Sequence, residues 1–399
     1  MRIGVVGLDY VGPVTVAFLS GETNSVLGID VDVLKIQMLR SGKLLIFESG
    51  LDERIKSAGN NPEFSSDHSK QSKREEVFLC VPTPNVGCKI DLKYVLSAAN
   101  VVKKYDTLSD LMIKSNVLPG TARKVSELTG MNVFSNPEFT REGSTIRDTE
   151  NSDRIVIARK FVWNVETISE SSGFPVVVTT NVNAELIKYA SNAFLAVKIS
   201  FINQIADVCE KILNTDVNKV AEGMGMDRGI GREFLKTGIS YRGLYFPKDA
   251  VAISSFSEEK EVDLIIVMSA IYYNERRLAA PVNKIKVNFD TLNGRGICVL
   301  GRSFKDNTYD LRESRSLLLI KNLKSRWVIV NAYDLAVKAV KGVTISSHIV
   351  ECITPSKIVI TSTEWKDFSN LDPEPLNERK VFGLGRVFDP ENTNIAMVV

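Results

Sequence analysis

A chain of 399 residues exceeds one ordinary core and predicts two or three domains, at about 100–200 residues each. Its 44% hydrophobic and 25% charged residues are those of a soluble globular protein, and a net charge of +2 without a concentrated basic patch predicts no nucleic-acid partner. No apolar run approaches the roughly 18 residues that span a bilayer, so no membrane partner is expected.

The N-terminus enters a strand at Arg2–Gly7 with no signal peptide ahead of it. The five cysteines are odd in number and lack metal spacing; Cys80, Cys209 and Cys298 lie in apolar elements and read as small core residues. A cytoplasmic location and no metal are the expectation. After the first strand come Gly7-Leu-Asp-Tyr10-Val11-Gly12, a helix to about Ser20, and a second strand, Ser25–Ile29, ending in Asp30. This is a βαβ dinucleotide plan: the helix N-terminus would hold phosphate, and Asp30 a ribose hydroxyl pair. Asp9 stands where the plan has its second glycine, adding bulk and negative charge beside the expected phosphates.

The mixed charge run Lys70–Glu76 reads as a solvated loop before a strand. Strands at Val77–Val81, Leu111–Ser115, Asn132–Ser135, Arg154–Ala158 and Pro175–Thr179 alternate with polar helices. That pattern predicts a parallel, doubly wound sheet, with ligands at the carboxyl ends of its strands, near Thr83, Asn116 and Glu138. Asn183–Leu213 then forms a long helix that is apolar on several sides, the mark of burial between domains or subunits. Glu185, Lys188 and Asn192, three and four apart, share a face that is either a solvated stripe or a cleft-facing polar patch. Ser254–Asp263 reads as a polar surface break and Leu264–Ile271 as a buried helix. Gly296–Gly301 opens a second strand–turn–helix unit, followed by strands at Trp327–Ala332 and Lys357–Ile360. The fold class is therefore α/β: two Rossmann-like doubly wound domains joined by a long central helix and a helical dimerisation domain. The expected boundaries are 1–180, 181–288 and 289–399.

The stretch Gly238–Asp249 closes in Phe246-Pro247-Lys248-Asp249. With it, in order, stand Gly7–Gly12, Glu48…Gly50-Leu51, Val81-Pro82-Thr83-Pro84, Pro119-Gly120-Thr121, Asn136-Pro137-Glu138-Phe139…Arg141-Glu142-Gly143, Lys188…Asn192 and Phe304-Lys305. These motifs resemble the UDP-glucose/GDP-mannose dehydrogenase family over nearly the whole chain. The resemblance implies NAD as cofactor, a nucleotide-sugar substrate, a homodimer, and oxidation of the C6 hydroxymethyl group to a carboxylate. It implies Gly7, Tyr10, Val11, Gly12, Asp30, Lys35, Thr83, Thr121, Glu142 and Lys248 as cofactor-binding residues. For substrate it implies Phe139, Arg141, Lys188, Asn192, Tyr241, Gly243, Phe304 and Lys305. Lys188 and Asn192 match the groups that stabilise developing negative charge on oxygen. Asp249, Glu138 and Glu142 match the carboxylates of proton transfer.

The family's second oxidation uses a cysteine to hold the aldehyde as a hydride donor. Here that position is Tyr245, whose phenol is bulkier than a thiol and protonated at neutral pH, and Ser240, Arg242 and Leu244 fill the glycine-rich loop. Two readings follow: an NAD-dependent nucleotide-sugar 6-dehydrogenase of altered chemistry, or a non-catalytic nucleotide-sugar-binding relative or partner subunit of an active paralogue.

Overall fold

A computed structural model describes the chain except residues 22–23, 45–47, 49, 59–61, 107, 142, 159–173, 242, 244, 288, 290, 302–313, 336–343, 364, 370–373, 377–378, 384–394 and 398–399. The fold is α/β, in two compact units, 1–191 and 192–399.

Unit 1 begins β1 (Arg2–Val6), α1 (Val11–Leu19), β2 (Ser25–Ile29), α2 (Val33–Arg40), α3 (Leu51–Ser57), β3 (Glu63–Ser65) and β4 (Glu76–Leu79). A hairpin, β5 (Asn85–Val86) and β6 (Lys89–Ile90), precedes α4 (Lys93–Tyr105), β7 (Asp110–Ile113), α5 (Thr121–Thr129), β8 (Val133–Ser135) and α6 (Thr145–Glu150). The parallel sheet has the order β3-β2-β1-β4-β7-β8, with its switch point between β1 and β4. Strand alternation sends Ile3, Val5, Phe78 and Met112 to one face and Val6, Val77, Leu79, Leu111 and Ile113 to the other. Both faces are apolar because helices cover both, as an all-parallel sheet requires. The strands predicted at Arg154–Ala158 and Pro175–Thr179 do not join this sheet: β9 (Ile155–Ile157) and β10 (Val176–Val178) form a separate parallel pair that leads to α7 (Asn181–Cys209), which runs on into unit 2.

Unit 2 continues with α8 (Val217–Gly225), α9 (Phe246–Glu258), α10 (Ile265–Arg277) and α11 (Ala280–Val287). A second sheet is built from β11 (Gly296–Leu300), β12 (Ile329–Tyr333), β13 (Thr344–Ile345), β14 (Ile358–Thr361), β15 (Lys380–Gly383) and β16 (Ile395–Met397). Among them lie α12 (Arg315–Lys324), α13 (Ile349–Ile353) and α14 (Lys366–Ser369). The sheet order, β13-β12-β11-β14-β15-β16, repeats that of unit 1.

Three further expectations need correction. The predicted break at Ser254–Asp263 is helical as far as Glu258, and its polar residues include Ser254 and Ser257, both buried. The segment predicted as a buried helix from Leu264 is helical, yet Ile265 and Ile266 are 69% and 71% exposed within the chain. Cys298 is not a free core thiol: it forms a disulfide with Cys352, and both residues are fully buried. The pairing joins β11 to α13 with 5.5 Å between Cα atoms, across 54 residues of sequence. Such a long separation carries no local signal.

The free cysteines are Cys80, Cys88 and Cys209. A thiol assay on the denatured, unreduced chain is expected to count these three, and all five cysteines of the sequence after reduction; five before reduction would refute the pairing.

Candidate functional site

The first βα turn has the geometry of a dinucleotide cradle. Gly7 takes φ +91°, and a Cβ there would stand 2.8 Å from the Cys80 carbonyl oxygen at the end of β4. A Cβ at Gly12 would overlap the Gly7 carbonyl. The chain thus closes tightly from β1 into α1, leaving backbone N–H groups at the helix start. Asp30 is buried at the end of β2, where it accepts the Leu8 N–H at 2.7 Å and the Asp32 N–H at 3.0 Å. Lys35 Nζ bonds Asp30 at 3.0 Å and Asp9 at 2.6 Å. Burial pushes the Lys35 ammonium down, but its bonds to Asp9 and Asp30 outweigh this and hold it above its usual value. The charge that Asp9 brings to the turn is therefore matched by Lys35. These residues fit a bound NAD: Asp30 is placed for ribose hydroxyls, and the start of α1 for pyrophosphate.

Tyr10 turns inward, and Val11 packs against the sheet core. The Tyr10 hydroxyl lies 3.0 Å from Thr145 Oγ1 and accepts the Gly143 N–H at 3.0 Å. Glu48 accepts the same Gly143 N–H, the Thr145 N–H at 3.0 Å and the Thr145 hydroxyl at 2.8 Å. Tyr10 and Glu48 thereby tie the dinucleotide turn to the 143–145 loop and the start of α6. Thr83 is buried just beyond β4, and the Thr121 hydroxyl donates to the Leu118 carbonyl at 2.6 Å.

Beyond β8, the Glu138 carboxylate bonds Lys114 Nζ at 2.9 Å and accepts the Phe139 N–H at 2.9 Å. Burial pushes its pKa up, yet Lys114 and then Lys188 outweigh this and hold it below the ordinary carboxylate range. The Phe139 ring has the Arg154 guanidinium at 4.4 Å and the Lys188 ammonium at 5.1 Å. Arg141, an expected substrate ligand, makes a two-point pair with Asp148 at 2.7 and 3.0 Å.

On α7, Glu185, Lys188 and Asn192 are all buried, so the solvated-stripe reading fails. Glu185 holds structure together. It accepts N–H groups of Gly120 at 2.6 Å and Ala122 at 2.8 Å, which cap α5, and the Ser135 hydroxyl at 3.1 Å. Within unit 2, Asn192 Nδ2 donates to Asp249 Oδ2 at 2.7 Å and Lys248 Nζ bonds Asp249 Oδ1 at 2.5 Å. Lys248, an expected cofactor ligand, is thus engaged by its neighbour. Tyr245 is the N-cap of α9, and its carbonyl accepts the Asp249 N–H at 2.8 Å.

The loop that leads to Tyr245 is held by side chains outside the predicted set. Asn203 Oδ1 accepts the Gly238 N–H at 2.9 Å, and buried Arg277 donates to the Gly238 carbonyl at 2.7 Å and to Asp207 at 2.6 Å. Asn274 accepts the Tyr241 N–H at 2.7 Å, and Tyr241 itself is buried. Gly243 takes φ +89°. The i,i+4 pair of polar residues Asn203 and Asp207 inside an apolar helix is the signal in the sequence for this clamp. Glu142, Phe304 and Lys305 lie outside the described residues, as do Arg242 and Leu244.

No group of three His, Cys, Asp or Glu residues among the described residues could hold a metal ion, and no helix among them is long and apolar enough to cross a membrane. The sequence matches the UDP-glucose/GDP-mannose dehydrogenase family in its NAD binding domain over residues 1–171, its central domain over 182–276 and its UDP binding domain over 298–393. It is 36% identical over 389 residues to UDP-glucose 6-dehydrogenase YwqF of Bacillus subtilis, covering 92% of this chain and 88% of that one. It is 34% identical over 399 residues to a UDP-glucose 6-dehydrogenase of Rhizobium meliloti, covering 93% and 91%. Among solved structures, a UDP-glucose dehydrogenase from the hyperthermophilic archaeon Pyrobaculum islandicum superposes with a TM-score of 0.91 at 31% identity, covering 99% of this chain and 96% of that one.

Because the folded-state pKa of Glu138 is depressed, its pairing stabilises the fold fully above the ordinary carboxylate value and loses that effect as pH falls through the lower folded value. Lys114→Met is expected to cost roughly 2 kcal/mol at pH 7 in urea denaturation, the worth of a charged hydrogen bond. The gap to the natural chain should narrow below about pH 4. A gap that stays constant with pH would rule this pairing out as its source.

Proposed function

The chain belongs to the UDP-glucose/GDP-mannose dehydrogenase family, and from that premise we propose that it oxidises the C6 hydroxymethyl group of a nucleotide sugar by two electrons, to the aldehyde. UDP-glucose and UDP-N-acetylmannosamine are the substrate types this reading takes first, the former in keeping with the names of its relatives. NAD, when bound, would supply the hydride acceptor, and the hydroxyl proton would leave to solvent through a carboxylate of the expected set, Asp249 or Glu138. Lys188 and Asn192, one turn apart on α7, hold the oxygen on which negative charge develops. Asp249 positions Asn192 and Lys248, and Glu138 fixes the Phe139 segment. The observation that supports this reading is the buried Asn192–Asp249 pair, with half-buried Lys248 on the second carboxylate oxygen, kept intact one helical turn beyond Tyr245.

The second oxidation is where the chain departs. A phenol at 245 cannot form the covalent adduct that a thiolate forms with an aldehyde at neutral pH. A second reading, a nucleotide-sugar-binding relative or partner subunit without turnover, draws on the same Tyr245 and on Asp9. The domain division near residues 180 and 288 and a cytoplasmic location belong to the first reading.

A homodimer is also part of the proposal. Phe194, Phe201 and Val208 repeat at seven-residue spacing along one exposed face of α7, and α10 exposes Ile265, Ile266 and Tyr272. A second copy covering these faces would remove their apolar surface from water at about 25 cal/mol per Å².

Anaerobic incubation with UDP-glucose or UDP-N-acetylmannosamine and NAD is expected to yield one NADH per sugar. Two would refute the block at Tyr245, and none, with the sugar raising the melting temperature, would favour the binder. Tyr245→Cys is expected to move the yield towards two. Light scattering should find a dimer that Phe201→Asp converts to monomer; a monomeric natural chain would refute the dimer.

A further inference from the structure

The dinucleotide turn of unit 1 carries a charge arrangement that the proposed reaction does not use. Lys35 Nζ is shared between Asp9 at 2.6 Å and Asp30 at 3.0 Å. Among the described residues it is the one cation that either carboxylate bonds. Two carboxylates against one ammonium leave this corner with a net charge of about −1. Asp30 is locked in place by the Leu8 and Asp32 N–H groups, whereas Asp9 is 49% exposed and bonds Lys35 through its side chain alone.

Asp30 lies where a βαβ site reads the adenosine ribose, and acceptance of a ribose 2′-phosphate there depends on a nearby cation. Lys35 is that cation by position, and Asp9 holds it. We propose that Asp9 is a specificity-determining residue: by engaging Lys35 it denies that ammonium to a 2′-phosphate, and so widens the preference for NAD over NADP that Asp30 sets. Without the Asp9 charge, Lys35 and Asp30 would form a neutral pair, and the ammonium could turn to the phosphate. With it, the incoming dianion meets two carboxylates and must break the Asp9–Lys35 bond. One unit charge about 6 Å from a dianion in water-like surroundings changes affinity on the order of tenfold. The effect of Asp9 on the pyrophosphate is common to both coenzymes and cancels in their ratio.

This inference rests on the family's NAD binding domain and needs no turnover. Calorimetric titration of the natural chain and of Asp9→Asn with NAD and with NADP tests it, with thermal melting to verify that the variant is folded. Asp9→Asn is expected to narrow the NAD-to-NADP affinity ratio about tenfold, and the double variant Asp9→Asn, Lys35→Met to restore the wide ratio. A ratio unchanged in Asp9→Asn, one equally narrowed in the double variant, or a natural chain that binds neither coenzyme overturns the proposal. Absence of NADH formation alongside the ratio shift would count against the proposed reaction alone.

Discussion

Burying a carboxylate as deeply as Asp249, which has no exposed surface, costs several kcal/mol unless its oxygens are paired. Both are paired here, one with Lys248 and one with Asn192. That requirement fixes the side chain of Asn192 on α7, the first turn of α9, and through that turn the backbone of Tyr245. The loop from Gly238 is pinned by the same logic: buried Arg277 must find acceptors, and it takes the Gly238 carbonyl and Asp207. Unit 2 thus holds a preorganised polar scaffold around position 245 even though the residue there is a tyrosine.

Unit 1 shows a comparable economy of charge. Glu138 is compensated by Lys114 and Lys188, Glu185 by helix N–H groups, and Asp30 by backbone N–H groups and Lys35. Removing one partner from such a group leaves a buried charge uncompensated and destabilises the fold. On the two proposals made above, the changes at positions 9 and 245 act on separate properties: coenzyme choice at the first, and the extent of oxidation at the second.

Much of this is legible in the sequence. Strand–turn–helix periodicity locates both parallel sheets and the central helix, because a buried parallel strand is a short apolar run bounded by turn residues. Short edge elements such as β3, β13 and β16 escape, being only two or three residues long. Position 9 reads as an uncompensated charge, since its partner Lys35 lies 26 residues away and only the fold brings them together. The Cys298–Cys352 bond and the Arg277 clamp escape for the same reason. Ile265 and Ile266 read as buried when they are exposed, because periodicity reports an apolar face without saying what covers it.

A retained polar scaffold without a nucleophile should stop the oxidation at the aldehyde. Carbon-13 NMR of a nucleotide sugar labelled at C6, after exhaustive reaction with NAD under conditions that regenerate the coenzyme, tests this most directly. The label is expected in an aldehyde or its hydrate, with no carboxylate signal. A carboxylate as the main labelled product would contradict the block at Tyr245.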